Sequence, residues 1–279
     1  MAYKTLLTVL RSEDQAESMI SSAIELARRF DAHLEVMCLG IDPVQVGYYF
    51  AGADAIVQQS TYDNTRKLAD ATMARAKALL EVEDIRWSAR EVVVQIGALG
   101  EIISSMSRFA DLVVLGKPQG ESARFEDAAI LEAALFSGQS PVLVLPETGI
   151  PDGFGSRIVI GWNDGTEALN AIRAAMPLLC DADRTSIAIV DTAEHSAQQV
   201  DPGQALSTML ARHGVKPEIA LLAKTQPRVS DVLLTHVRDI DATLMVTGAY
   251  GHSRFRQAIL GGATREILEK ATVPVLMAH

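Results

Sequence analysis

The chain has 279 residues, 48% of them hydrophobic and 22% charged, with a formal net charge of -10 at pH 7. That acidity argues against nucleic acid as the main partner, because phosphate backbones call for a basic face. No apolar run approaches bilayer length, so no membrane partner is expected, and the length suits two ordinary domains or one large one.

The elements follow in chain order. Thr5-Leu-Leu-Thr-Val-Leu10 is an apolar run of the buried-strand type. Arg11, Glu13 and Asp14 end it too early for a signal peptide, which makes the cytoplasm the expected address. Ser12 is the expected N-cap of a helix reaching Phe30, with Met19, Ile20, Ala23, Ile24 and Ala27 on one face. A strand over 33–39 precedes a glycine- and aromatic-rich loop, 42–52, that carries Tyr48, Tyr49 and Phe50. A long helix over 54–80, a strand over 86–95, a helix over 101–109 and a strand over 111–115 follow. A helix over 128–136 and the strand Pro141-Val-Leu-Val-Leu145 close this half. Cys38 and Cys180, the only cysteines, are too few for a disulfide framework or a zinc set. Both lie in apolar stretches and are expected in the core.

The pattern then restarts. Residues 146–156 are Pro- and Gly-rich and read as a linker. A strand over 157–162, a helix over 167–179 and a strand over 186–190 come next. After them a helix over 205–212, a strand over 218–222 and a helix over 229–238 are expected. The last unit ends in Pro274-Val-Leu-Met277, which matches the close of the first half. Such an internal repeat decides the fold class: two tandem Rossmann-like α/β domains, 1–147 and 156–279, each a five-stranded parallel sheet flanked by helices. Ligands of such sheets lie at the carboxyl ends of the strands, where the strand order reverses.

One strand end stands out. After the apolar run 242–247 the chain reads Thr247-Gly-Ala-Tyr-Gly-His-Ser-Arg-Phe-Arg-Gln-Ala-Ile-Leu-Gly-Gly-Ala-Thr264, and a helix follows. Glycines let backbone N–H groups approach a ligand, and a helix N-terminus favours anions. Arg254 can form charge-assisted bonds and Ser253 can donate, while His252 is either a further donor or only a cap of the loop, so phosphate is the expected guest. Arg256 reads as a solvated side chain.

With this loop, its glycine spacing and the closing strand, the chain resembles the universal stress protein family in its tandem form. The nucleotide-binding branch of that family carries G-x2-G-x9-G-S/T after its fourth strand. Gly248, Gly251 and Gly261 match it, whereas Gly262 stands in place of the hydroxyl residue. Thr264, two residues on and behind Ala263, is the nearest substitute, a hydroxyl in the first helical turn. The resemblance further implies an acidic residue after the first strand, where Asn163 stands here, and an adenine-reading backbone at Ile189. It also implies that the two closing strands pair with each other. The implied ligand is ATP or AMP, with Mg²⁺ as the companion of ATP. The implied assembly is a monomer with an internal pseudo-dimer or a homodimer, meeting a protein partner the residues do not name.

The first half lacks this apparatus. Leu10 stands where the acidic residue is expected, Gly116-Lys-Pro-Gln-Gly120 has the wrong spacing, and Arg124-Phe-Glu-Asp127 is acidic where phosphate would lie. Its glycines read as turn residues. No H-E-x-x-H, G-x-S-x-G or Walker A pattern appears, so no metal site or catalytic residue is assigned. A ligand-dependent regulator is the first reading. An interaction scaffold or small-molecule binder that takes no nucleotide is the second, and a slow ATP hydrolase the third.

Overall fold

The computed structural model describes residues 2–43, 54–120, 123–191, 203–249 and 262–279. They form two compact units. One comprises Ala2–Leu115 and Phe125–Ser140, and the other Gly116–Arg124 and Pro141–His279.

The first unit holds strands β1 (Thr5–Leu10), β2 (His33–Asp42), β3 (Arg86–Gln95) and β4 (Leu112–Gly116). They lie in the order β3-β2-β1-β4, each neighbouring pair parallel. Leu6, Leu7 and Leu10 are almost wholly buried, which explains why β1 reads as a continuous apolar run rather than an alternating one. Helices α1 (Glu13–Phe30), α2 (Asp54–Leu80), α3 (Leu99–Ser107) and α4 (Phe125–Glu132) cover the sheet, and α4 runs on into a π-turn over Ala133–Ser137. The expected apolar face of α1 is buried as read. Ser12 is the N-cap by position, yet its side chain makes no capping bond; Gln15 instead reaches back to accept the Arg11 N–H at 3.2 Å. Asp31, left-handed at φ 48°, ends the helix by turning its N–H onto the carbonyls of Ala27 and Arg28.

The second unit contains β5 (Val142–Leu145), β6 (Arg157–Gly161), β7 (Arg184–Asp191), β8 (Pro217–Ala223), β9 (Leu244–Gly248) and β10 (Val275–Ala278). Their order is β5-β10-β9-β6-β7-β8. All neighbours run parallel except β5 and β10, which pair antiparallel with Leu276 opposite Leu143. The two closing strands therefore bond to each other. Helices α5 (Thr166–Ala174), α6 (Met176–Asp181), α7 (Gln204–Arg212), α8 (Val229–Asp239) and α9 (Gly262–Lys270) complete it. The helix expected over 167–179 is two helices, because Pro177 has no N–H to give and so stands at the start of a new one. Cys180 is exposed, contrary to the core expectation: it lies in the last turn of α6, its Sγ 3.6 Å from the His213 carbonyl. Cys38 is buried as expected, and burial pushes its thiol up to about 11.

From β6 the chain steps outward to β7 and β8, then returns to the opposite flank of β6 for β9 and β10. The reversal falls between β6 and β9, where an α/β sheet opens a crevice at its carboxyl edge. Among the described residues no helix is long and apolar enough to cross a membrane.

Candidate functional site

Three strand ends lie side by side at this reversal. Gly161 of β6 is in register with Thr247 of β9 on one flank and Ala188 of β7 on the other. Asn163, Thr247, Gly248 and Ile189 thus come to neighbouring positions at the carboxyl edge. Asn163 is exposed, and its Oδ1 accepts the Gly165 N–H at 3.1 Å. That Asx turn spans Asp164, left-handed at φ 59°, and delivers Gly165 as the N-cap of α5. Ile189 is buried; its Cδ1 would lie 2.8 Å from a Cβ on Gly203, a residue at φ 96°. Only glycine suits both conditions at that position.

Gly248 has a reason to be glycine that spacing did not reveal. A Cβ there would lie 2.5 Å from the Ala168 nitrogen and 2.8 Å from the Glu167 carbonyl carbon, in the first turn of α5. The strand end is pressed onto helix backbone, which cannot yield. Thr247 is nearly buried, its Oγ1 3.3 Å from the Gly248 carbonyl. The next residue, Ala249, is clamped: its N–H bonds to the Ala278 carbonyl at 2.9 Å, and His279 Nδ1 lies 3.0 Å from its own carbonyl.

Gly251, His252, Ser253, Arg254 and Gly261 lie outside the described residues, as do Tyr48, Tyr49 and Phe50. The far end of the loop is described. Gly262 opens α9 with no atom of the described residues within 4 Å of where a Cβ would stand, Ala263 is exposed, and Thr264 is buried. Helix α9 is held along its length. Glu266 accepts from Ser230 Oγ on α8 and pairs with Arg228 at 2.8 Å, and Lys270 pairs with Asp231 at 2.6 Å. Lys117 donates to the Glu269 carbonyl at 3.2 Å, a cation at the negative end of the helix. Burial lowers the Lys117 pKa, and the carboxylate of Glu147 acts in the opposite sense. A cavity of about 150 Å³ opens by the last turn of α9, lined in part by Gln226, Arg238 and Lys270, at the other end of the helix from Gly262.

Strand register gives the first-repeat counterparts. Leu6 pairs with Leu112 as Ile158 pairs with Leu244, so counting along β1 and β6 brings Arg11, not Leu10, to the place of Asn163. Sequence comparison alone missed this by one residue. The Arg11 side chain is 5% exposed and forms a two-pronged ion pair with Asp127 of α4, Nε to Oδ1 and Nη2 to Oδ2, both 2.5 Å. Gly120, at φ 132°, is a turn residue as read, with Glu147 Oε1 2.5 Å from where its Cβ would stand.

Comparison with known proteins bears on the whole chain. Residues 156–279 match the sequence model of the Universal stress protein family. Universal stress protein Slr1230 of Synechocystis is 25% identical over 209 residues, which is 73% of this chain and 69% of that protein. A universal stress protein from Archaeoglobus fulgidus DSM 4304 superposes with a TM-score of 0.69 at 13% identity, covering 98% of this chain and 95% of its own. The functionally unknown protein PA1789 from Pseudomonas aeruginosa PAO1 gives 0.60 at 18%, covering 99% and 92%. At such identities the structural likeness is one of fold, and it spans both repeats. The likeness to the universal stress protein family thus rests on residues 156–279 for sequence and on both repeats for fold.

Proposed function

We propose that the second repeat binds an adenine nucleotide, ATP or AMP, in the crevice at the ends of β9, β6 and β7. The protein then acts as a cytoplasmic stress-response regulator whose conformation or protein partner follows the bound ligand. The observation that carries this reading is the placement of the two described ends of the glycine-punctuated stretch: Gly248 closes β9 where the strand order reverses, and Gly262 stands at the N-terminus of α9. Phosphates would take N–H groups from the loop between Gly248 and Gly262, with Arg254 supplying charge. Asn163 has its oxygen committed to Gly165, which leaves its amide donors for ribose or base. The backbone at Ile189 would meet the adenine edge. Mg²⁺ arriving with ATP would keep several waters and ask few protein ligands.

Titration of ATP and of AMP by calorimetry should show binding to the wild type and none to Gly251→Asp. Equal binding, or none, in both proteins refutes the site. A second reading, an interaction scaffold without nucleotide, is favoured by Gly248, whose lack of a side chain is explained by packing against α5 alone. Heat extraction of the purified protein separates the two readings, since only the first expects released adenine nucleotide. Phosphate release followed over hours would show whether the bound ATP is turned over.

A further inference from the structure

Among the described ion pairs Arg11–Asp127 is the most buried, with side chains 5% and 13% exposed. Its two ends have meaningful addresses. Arg11 stands at the register position that Asn163 holds in the second repeat. Asp127 belongs to the first turn of α4, the helix that precedes β5 as α9 precedes β10. Counted back from Val142 and Val275, Gly262 corresponds to Ala129, so α4 starts about a turn earlier and carries its carboxylate forward to the strand ends. A carboxylate whose two oxygens sit on one guanidinium fork presents the geometry that two oxygens of a phosphate would present. A guanidinium this buried is tolerated only with an anion upon it.

We infer that the first repeat keeps an oxyanion cradle built on Arg11, and that the chain fills it with its own Asp127 carboxylate. The first repeat is closed to phosphorylated ligands by an internal substitute, and has not merely lost its contacts. This assignment does not depend on nucleotide binding in the second repeat, and its test is arranged to be independent of it.

The test uses the full chain carrying Gly251→Asp, so that phosphate binding proposed for the second repeat is absent from parent and variants alike. Inorganic phosphate is titrated at constant ionic strength, with chloride as the control, and Tm and calorimetric heats are read. Asp127→Gly should acquire a saturable, phosphate-specific rise in Tm that the parent lacks, with binding roughly tenfold or more tighter than the parent's. Adding Arg11→Met should abolish it. Asp127→Asn keeps the shape and one acceptor, and should respond less than Asp127→Gly but more than the parent. If Asp127→Gly is unfolded in chloride, phosphate should restore the fold, while Arg11→Met/Asp127→Leu should fold without it. A response no greater than the parent's in both Asp127 variants, one that survives Arg11→Met, or failure of phosphate to refold Asp127→Gly overturns the inference.

Discussion

Gly248 sits where a strand end is pressed onto the first turn of α5, and its missing side chain is a packing requirement before it is anything else. Gly248→Ala puts a methyl against the Ala168 nitrogen and should cost about 1–3 kcal/mol or more, read as a lower denaturation midpoint with unchanged slope. Gly262 is the opposite case. No described residue reaches the space above it, so Gly262→Ser should leave stability within about 0.5 kcal/mol of the wild type. If the nucleotide reading holds, the added hydroxyl should tighten ATP binding in a calorimetric titration. Spacing along the chain made both glycines visible and could not tell them apart. What separates them is a neighbour more than 75 residues away, and sequence periodicity carries no record of it. Arg11 shows the same limit: one residue of strand register decides whether a leucine or an arginine faces the site.

Elements were more legible than their contacts. Continuous apolar runs mark β1, β4, β6 and β9 because these strands are covered on both faces, whereas β8, at the sheet edge, leaves Leu221 64% exposed and reads less clearly. The break between α5 and α6 follows from Pro177, whose effect the helix expected over 167–179 left out. Helix α8 is joined to β7 by Ser186 Oγ and His236 Nε2 at 2.9 Å, a contact no pattern announces. Burial lowers the His236 pKa and Arg184 adds to this, while Asp239 opposes it. The native state therefore takes up a proton less readily than the unfolded chain, whose histidine titrates near about 6.5. The stabilisation from this histidine is present above that pH and is lost as the pH falls below it. Urea midpoints at pH 7.5 and 5.5 should differ more in the wild type than in His236→Gln, which has no charge to gain; equal differences would remove His236 as the cause.

Taken together, the two repeats have the same plan and unequal strand ends. In the second, Asn163 is exposed and α9 opens on a glycine that no described residue crowds; in the first, the residue corresponding to Asn163 is a buried arginine in an ion pair. Under the proposed function the expected stoichiometry is one nucleotide per chain, and a calorimetric value near two would contradict it. The tandem arrangement was legible because strand-helix alternation and the Pro-Val-Leu motif recur. The division into compact units was not, because β5 closes the first repeat in sequence yet groups with the second through β10.

That grouping has a consequence for any attempt to cut the chain at its apparent seam. A polypeptide of residues 156–279 alone would keep β10 but lose the strand it lies against. The main-chain donors and acceptors that Val275, Leu276 and Met277 turn towards Val142, Leu143 and Val144 would be left as a sticky rim. Another molecule of the same fragment offers the same rim and can meet it head to tail. Light scattering on the fragment should therefore report concentration-dependent self-association, and adding residues 1–147 as a separate chain should replace those homomeric particles with a one-to-one complex.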